Sequence, residues 1–442
     1  MPQPADRPRS STADWTTRDI NSVWHGFTQM AVYADNHPVI VEAAEGRELI
    51  DVNGRRYFDA FSSLWVNTLG HRVPELDAAL KAQVDQVAHS TVLGNGNRVL
   101  IEFSEALAAV VPVDGARMLY AADGATAVEQ ALKIAFQYWV NQGVSGRDHY
   151  LAFGDAYHGD TVGALSVGAG GFGTDIFDPL RFPVLRAPSF ATPGALSTAA
   201  DLIRQHQDRL AAVVVEPLVQ GAAGMRMAPA DEFAELQAAC RETGVLLICD
   251  EVATGFGRSG TLFACEQCGL RPDLLVLGKG ITGGYLPMSA TVASQGVWEA
   301  FLGPDLSEKT FYHGHSYGGN ALAAAVALRH LALIQEQDVL ANVRERSAQL
   351  GARLAQDVAP LPGVADVRLH GLMGAVALDT RNDPLWPRRT AVAMAERGVL
   401  TRSLGDVVTL VPPLTTTAPE IDRLVDVLAT AIGVAADRRD EQ

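Results

Sequence analysis

Apolar residues recur along the chain in two patterns, short continuous runs and helical spacing, and the two patterns alternate. Short runs that are almost wholly apolar are typical of buried parallel strands; they lie at residues 150–153, 211–215, 245–249 and 274–277. Segments with helical periodicity lie between them, for example at residues 125–139 and 230–242. Strands and helices that alternate in this way predict an α/β fold with a mostly parallel sheet covered on both faces.

The two ends of the chain follow another pattern, which predicts a smaller α+β domain. Asn53-Gly54 between two strand-like runs indicates a β-hairpin, and Pro74 indicates the first turn of a helix. From about Asn320 the chain has an Ala-rich helix, an amphipathic helix, strand-like runs at 371–378 and 407–410, and a closing helix at 418–436. We therefore expect a tail and part of the small domain at residues 1–69, a large domain at 70–330, and the remainder of the small domain at 331–442.

Composition and charge narrow the class of protein. Of 442 residues, 48% are hydrophobic and 19% are charged, as in globular proteins with a buried core. Lys and Arg number 35 against 51 Asp and Glu, and the net charge of −16 disfavours binding to nucleic-acid phosphates. The chain has no apolar run long enough to span a membrane, and its N-terminal residues lack the apolar centre of a signal peptide. We expect no nucleic-acid or membrane partner and a cytoplasmic location.

Two short motifs raise the question of metal binding. Cys265 and Cys268 form a CxxC pair, but the other two cysteines lie in apolar runs and give no second pair for zinc. No thioredoxin-like pattern that would indicate redox chemistry accompanies them. His313 and His315 lack a matching carboxylate cluster. We predict no metal site.

A glycine-rich run, Gly168-Ala-Gly170-Gly171-Phe-Gly173, raises the alternative of a nicotinamide-dependent oxidoreductase. A dinucleotide-binding fingerprint needs a strand before its glycines and a helix after them. Here the glycines lead into Thr-Asp-Ile-Phe-Asp-Pro, which predicts a loop. The pattern therefore argues against this alternative.

An acid and a lysine follow two of the predicted strands. Asp250 ends one apolar run, and Lys279, between two glycines, follows the next. Ligands of open α/β sheets bind at the carboxyl ends of strands, so both side chains are expected at one crevice. A buried lysine tends to be neutral and forms a Schiff base with an aldehyde such as that of pyridoxal phosphate, whose ring nitrogen needs an acid partner. The plain structural interpretation is a lysine reaching solvent and an aspartate capping a helix.

Two further segments fit such a cofactor. Gly124, Ala125 and Thr126 open a predicted helix, where free backbone N–H groups and the helix dipole favour a phosphate. Tyr157 follows a strand-like run, and its ring is suited to stacking on a flat heterocycle. An ordinary helix start and a packed tyrosine are the structural alternatives.

The chain resembles the class III (ω-amino) aminotransferases in several segments. These segments are DEVATGFGRSG, LGKGITGGYLP, FSSLWVNTLGH, YHGDTVGALSVG and FYHGHSYGGN. The resemblance covers roughly residues 20–435. It implies pyridoxal-phosphate fold type I, with a large domain around a seven-stranded type of sheet and a smaller α+β domain. It also implies pyridoxal 5′-phosphate as cofactor, a small-molecule amino donor and keto acceptor, and a homodimer with shared active sites.

The resemblance assigns roles to individual residues. Lys279 is the catalytic lysine, Asp250 the partner of the ring nitrogen, Tyr157 the stacking residue, and Gly124 and Ala125 belong to the phosphate-binding turn. Ser316 falls where family members reach the phosphate of the neighbouring subunit's cofactor. Arg402 matches the arginine that binds the substrate carboxylate. The remaining substrate-contacting positions implied are Phe27, Leu64, Trp65 and Gly314.

Three positions depart from the family pattern. Many relatives carry Ser at Ala125, so a phosphate-binding hydroxyl is missing here. Members that use S-adenosylmethionine as donor typically have Tyr at Phe27 and Trp at Leu64, whereas relatives that use lysine make choices like those of this chain. The departures favour lysine over S-adenosylmethionine as donor.

The activity implied is amination of 8-amino-7-oxononanoate in biotin formation. A broader ω-transaminase that pairs amines or diamines with pyruvate stays open, because the fold and chemistry would be the same. A cofactor-binding protein without catalysis is the third alternative, which the intact Lys279 and Asp250 argue against.

Overall fold

The computed structural model describes residues 12–170 and 173–438. Most of the polar N-terminal stretch and Gly171 of the glycine-rich run lie outside these residues. Within them, the helices are all too short or too polar to cross a bilayer.

The N-terminal part forms the predicted hairpin. Strands β1 (Val41–Glu45), β2 (Glu48–Asp51) and β3 (Arg56–Asp59) pair antiparallel in that order. Gly54 adopts φ +82° in the turn between β2 and β3, a conformation that glycine adopts without strain. The helices of this part are α1 (Thr12–Ile20), α2 (Ser62–Trp65), α3 (Pro74–Val84) and α4 (Arg98–Ala108). Pro74 occupies the first turn of α3, as predicted.

A seven-stranded sheet forms the centre of the molecule, in the order β4-β12-β11-β10-β7-β5-β6. Its strands are β4 (Arg117–Ala121), β5 (His149–Phe153), β6 (Leu185–Ala187), β7 (Leu210–Val215), β10 (Leu246–Asp250), β11 (Leu274–Leu277) and β12 (Ser289–Ala293), while β8 (Val219–Gln220) and β9 (Arg226–Met227) form a separate two-stranded ribbon. Only β12 runs against its neighbours, so the mostly parallel sheet is confirmed.

Alternate residues of the central strands enter two separate apolar clusters. In β10, Leu247 and Cys249 belong to one cluster, and Leu246 and Ile248 belong to the other. Both faces of the sheet are therefore covered, as predicted. The helices of this region are α5 (Gly124–Asn141), α6 (Val162–Val167), α7 (Ala195–His206), α8 (Phe233–Thr243), α9 (Cys265–Cys268) and α10 (Gln295–Glu299).

Strand β12 escaped the sequence analysis because its buried residues include Ser289 and Thr291. Each hydroxyl is satisfied by a backbone carbonyl near the start of α5: Ser289 Oγ donates to Asp123 O (2.6 Å) and Thr291 Oγ1 to Ala127 O (2.8 Å). The hydrogen bonds allow burial of polar residues that interrupt the apolar run in the sequence.

The C-terminal part brings the two ends of the chain together. It contains α11 (Ala321–Glu336), α12 (Val339–Arg353), α13 (Trp386–Ala395) and α14 (Ala418–Asp437), with β13 (Val364–His370), β14 (Met373–Leu378), β15 (Val399–Leu400), β16 (Ser403–Leu404) and β17 (Val407–Leu410). The order β13-β14-β17-β16 makes one sheet, and β15 joins the first sheet beside β3. The boundaries of the predicted domains stay a prediction.

Candidate active site

Most of the predicted site residues line one cavity of about 730 Å³ at the carboxyl ends of the parallel strands. They come from segments far apart in the sequence: Leu64, Trp65, Gly124, Ala125, Tyr157, Asp250 and Lys279. Asp250 is the last residue of β10, and Lys279 follows the end of β11 by two residues. Because β10 and β11 are parallel neighbours, both side chains leave the sheet at the same edge.

Lys279 occupies a strained and partly buried position at the cavity wall. Its backbone is left-handed, with φ +40°. Burial lowers the pKa of its amine, while the nearby Asp250 and Glu216 carboxylates oppose that shift. Its Nζ lies 5.3 Å from the centre of the Trp65 ring. A lysine with a lowered pKa has more of the neutral amine that attacks an aldehyde.

Asp250 is held as a carboxylate acceptor by two neighbours. It is only 5% exposed, its Oδ2 lies 2.7 Å from Nδ1 of His158, and its Oδ1 accepts a hydrogen bond from the Val252 amide (3.0 Å). Nε2 of His158 is buried and has no hydrogen-bond partner among the described residues. This arrangement orients the acid toward the cavity, where it can hold a protonated ring nitrogen.

Glu216 is a site residue that the sequence analysis missed. It follows β7 directly, lines the same cavity, and accepts hydrogen bonds from the amides of Tyr157 (3.2 Å) and Gly221 (3.0 Å). Burial raises the pKa of its carboxyl to about 7. The signal that points to Asp250, an acid at the end of an apolar run, is also present at Glu216.

Tyr157 has an acidic neighbour that was also missed. Its hydroxyl donates to Oδ2 of Asp160 (2.9 Å), and both residues line the cavity. Burial and the Asp160 carboxylate raise the pKa of the tyrosine, so its hydroxyl remains a donor at neutral pH. The ring is therefore fixed at the wall of the cavity.

The start of α5 forms the part of the wall predicted to bind phosphate. A Cβ at Gly124 would lie 2.7 Å from Cγ1 of Val252, so glycine is required for this close approach. Asp123 caps the helix by accepting from the Thr126 amide (2.9 Å), and the Thr126 hydroxyl donates to Asp123 O (2.9 Å). Among the described residues Thr126 does not line the cavity; its role toward a phosphate stays a prediction.

These residues fit pyridoxal phosphate. The N-terminus of α5, where the helix dipole is positive, suits a phosphate, the buried Lys279 an aldehyde, and Asp250 a pyridine nitrogen. The buried and unpartnered Nε2 of His158 is consistent with a polar group arriving beside it. The aromatic wall of Tyr157 suits a flat ring.

The structure does not bring every predicted residue to this cavity. Phe27 and Arg402 line a second cavity, of about 550 Å³. Gly314 and Ser316 lie on an exposed segment, where Ser316 O accepts from Nε2 of His89 (2.8 Å). Their contacts with substrate or with a partner's cofactor stay predictions.

The remaining motifs of the sequence lie outside this cavity in the described part of the chain. Nε2 of His313 lies 3.3 Å from Nε2 of His315, and no group of three or more His, Cys, Asp and Glu in residues 12–170 and 173–438 is placed to hold a metal. Cys265 and Cys268 are buried free thiols. Gly168 follows α6, and the chain then continues into a 3₁₀-helix, Asp175–Leu180. The glycine run therefore lacks the following α-helix of a dinucleotide site.

Comparisons with known proteins agree with this geometry. The family model described as "Aminotransferase class-III" matches residues 29–432. The adenosylmethionine-8-amino-7-oxononanoate aminotransferase of Nitratidesulfovibrio vulgaris is 44% identical, across 96% of this chain and 82% of its own. The crystal structure of the aminotransferase of the same name from Methanocaldococcus jannaschii gives a TM-score of 0.92 at 37% identity, covering 96% of this chain and 99% of that one.

An amine transaminase from an uncultivated Pseudomonas species, solved in its PLP-bound form, gives a TM-score of 0.86 at 31% identity, covering 94% of this chain and 98% of that one. The chain therefore belongs to the class-III aminotransferase family. It is a pyridoxal-phosphate-dependent transaminase with the expected fold type I architecture.

Proposed function

We propose that this enzyme aminates 8-amino-7-oxononanoate in biotin formation and takes the amino group from lysine. The proposed acceptor rests on the 44% identity, over 96% of the chain, to a relative that is named for this reaction. The donor rests on Phe27 and Leu64, which differ from the residues typical of S-adenosylmethionine users. The runner-up is a broader ω-transaminase, since solved amine transaminases share the fold.

Each cavity residue has a task in this reaction. Bound pyridoxal phosphate supplies the aldehyde and the electron sink. The Lys279 amine would hold that aldehyde and, once free, would act as general acid and base at the reacting carbon of the substrate. Asp250, oriented by His158, keeps the ring nitrogen protonated. The guanidinium of Arg402 holds the distal carboxylate of the oxononanoate.

We further propose a homodimer with shared active sites and a cytoplasmic location. Tyr312 and Tyr317, on either side of Ser316, are 69% and 64% exposed, unusual values for large aromatic residues. An interface between copies would cover them and bring Ser316 to the partner's cofactor. The cytoplasmic location is supported by four free, buried cysteines, a usage typical of reducing compartments.

A half-reaction measured by visible absorbance tests the donor. The purified holoenzyme is mixed separately with lysine, with S-adenosylmethionine and with simple diamines. We expect the donor lysine to remove the absorbance band of cofactor bound covalently to Lys279. S-adenosylmethionine should leave this band unchanged. Loss of the band with S-adenosylmethionine alone would leave the proposed acceptor in place and reject lysine as the donor. Loss of the band with diamines alone would favour the broader ω-transaminase.

We predict that Lys279→Ala abolishes turnover, because Lys279 is the one lysine among the described residues that line the cavity, and the reaction needs an amine that can both bond the aldehyde and transfer the proton. The variant should also lack the absorbance band of covalently held cofactor. Lys81→Ala, at an exposed position of α3, is the matched control and should behave as wild type. Normal turnover by Lys279→Ala would reject the assigned site.

A further inference from the structure

We propose that His330 is a positioning residue for the reacting amine. Its imidazole holds the backbone turn that carries Lys279 against the segment that carries Trp65. The proposal rests on the assignment of Lys279 as the reacting lysine and identifies what keeps that lysine in place. His330 itself is not among the described residues that line the cavity.

The turn that carries Lys279 needs support from its surroundings. Lys279 begins a 3₁₀ turn, Lys279–Thr282, with φ +40°. Gly283 and Gly284 follow with φ +63° and +89°. Left-handed backbone at a residue other than glycine is unfavourable and persists only where neighbouring contacts hold it. The position of the lysine therefore depends on what packs against this turn.

One neighbour of the turn is the segment that follows Trp65. A Cβ at Gly284 would lie 3.0 Å from Cα of Asn67, so the two backbones meet with no side chain between them. Nζ of Lys279 lies 5.3 Å from the centre of the Trp65 ring. A shift of one segment against the other would therefore change where the amine lies in the cavity.

His330 contacts both segments. It lies on α11, is fully buried, and its Nε2 is 2.6 Å from Oγ1 of Thr68, which is also buried. A Cβ at Gly283 would lie 3.0 Å from Cδ2 of the same ring. The imidazole therefore packs on the Lys279 turn with one edge and is hydrogen-bonded to the Trp65 segment through another.

The ring of His330 is uncharged at neutral pH. Burial lowers its pKa to about 4, so it does not repel a protonated Lys279. Its Nδ1 has no hydrogen-bond partner among the described residues, although the backbone of Ile281 is near enough to oppose part of the shift. The bond to Thr68 is therefore the contact through which a substitution can release the ring.

A purely space-filling role does not account for this pair. An apolar side chain on α11 would fill the same volume without the cost of burying two polar groups. The hydrogen bond between His330 and Thr68 instead fixes both the orientation of the ring and the distance between α11 and the Trp65 segment. We therefore expect its loss to affect the reacting amine and not stability alone.

Thr68→Val tests the proposal, because it removes the hydroxyl and nearly preserves the shape. The measurement is the pH at which the absorbance band of cofactor bound covalently to Lys279 changes in the holoenzyme. We expect the midpoint to shift by about 0.5 pH unit or more, a threefold change in the equilibrium, because the Lys279 nitrogen moves relative to the Glu216 and Asp250 carboxylates. Thr68→Ser, which keeps the hydroxyl, should restore the wild-type midpoint.

Thr390→Val is the matched control. It removes a buried hydroxyl that donates to Trp386 O (3.0 Å) within α13, away from the cavity. This variant may lose stability, but its midpoint should equal that of wild type. Equal midpoints for Thr68→Val and Thr390→Val would overturn the proposal.

The half-reaction with lysine gives a second readout. In Thr68→Val the limiting rate of band loss should fall by about 10- to 100-fold, the scale expected when a reacting group is misplaced by about 1 Å. The half-saturating lysine concentration should stay within about twofold. His330→Leu should behave alike, and the double variant should be no worse than either single one, since both changes remove the same bond. Losses that multiply in the double variant would overturn the proposal.

Borohydride reduction of the holoenzyme, followed by mapping of the cofactor-bearing peptide, separates this inference from the proposed function. Cofactor fixed to a lysine other than Lys279 would overturn the assigned site and the role of His330 with it. Cofactor on Lys279 in an enzyme that does not react with lysine would reject the proposed donor. The midpoint of Thr68→Val needs no donor and then decides the role of His330 by itself.

Discussion

Glu216 follows β7 directly and Asp250 ends the neighbouring strand β10, yet the protein gives the two acids different surroundings. Asp250 has the imidazole of His158 as a partner. Glu216 accepts only from the backbone amides of Tyr157 and Gly221 among the described residues. Desolvation is therefore the largest influence on its carboxyl, and the pKa rises from an ordinary 4.5 to about 7. Near neutral pH this acid can gain or lose a proton beside Lys279.

The raised pKa of Glu216 makes stability depend on pH. A folded-state pKa above the unfolded value means that the folded protein holds the proton more tightly, so this contribution is complete below about pH 4.5 and is lost as pH rises through about 7. We predict that wild-type apoprotein loses stability relative to Glu216→Gln by up to about 1.4 kcal/mol per pH unit across this window. Urea unfolding at several pH values measures the difference. Glu232→Gln, at an exposed position, is the control, and a difference independent of pH would contradict the prediction.

At the scale of elements, the connection after β3 is the most strained part of the cavity wall. Ser62, Ser63, Leu64 and Trp65 have φ values of 49°, 47°, 73° and 66°, so α2 is a left-handed turn. Such backbone costs about 1–2 kcal/mol for each residue other than glycine. Hydrogen bonds hold it: Ser62 Oγ donates to Val411 O (2.6 Å), and the Ser63 amide (3.0 Å) and hydroxyl (2.8 Å) donate to Asp59.

We predict that relieving this strain stabilises the protein. Leu64→Gly should raise the free energy of unfolding by about 1 kcal/mol, because glycine adopts the left-handed region freely and the leucine is half exposed. Leu64→Val should lower it, since a β-branched residue tolerates positive φ poorly. Leu64→Ala separates the loss of the side chain from the change in backbone strain. Denaturant unfolding measures all three, and equal stabilities of the Gly and Ala variants would contradict the argument.

These elements also show which parts of the structure could be predicted from the sequence and which could not. Local patterns were sufficient for the hairpin at Gly54, the helix start at Pro74 and the strands that end at Asp250 and before Lys279. The left-handed turn was not predictable, because its sequence contains no glycine or asparagine that would indicate positive φ. The position of Arg402 depends on the two-residue strand β15 pairing with β3, a contact between distant parts of the chain that no local pattern encodes.

At the scale of the whole molecule, the exposed segment around Ser316 fits an interface between copies. The aromatic residues Tyr312 and Tyr317 and the nearby Leu93 (58% exposed) present apolar surface to solvent in the single chain. A Cβ at Gly314 would lie 2.4 Å from Cδ2 of Leu93, so these residues form one surface. In a symmetric dimer this surface would be buried twice, and each Ser316 would reach the other subunit's cofactor.

Mixing two defective variants tests that arrangement. In the proposed homodimer, Lys279→Ala would remove the reacting amine of a subunit's own site, and Ser316→Asp would place a negative charge beside the phosphate in the partner's site, so each variant alone should be inactive or nearly so. In a mixed dimer one site has Lys279 from one chain and Ser316 from the other, both intact. Co-refolding equal amounts of the two variants should therefore recover roughly a quarter of wild-type activity, since about half of the dimers are mixed and each mixed dimer has one intact site.

Lys279→Ala mixed with Asp250→Asn is the matched control: both defects lie in a subunit's own site, and no pairing restores them. Recovery in neither mixture would reject shared sites, because complementation requires that the two residues act on one cofactor from different chains.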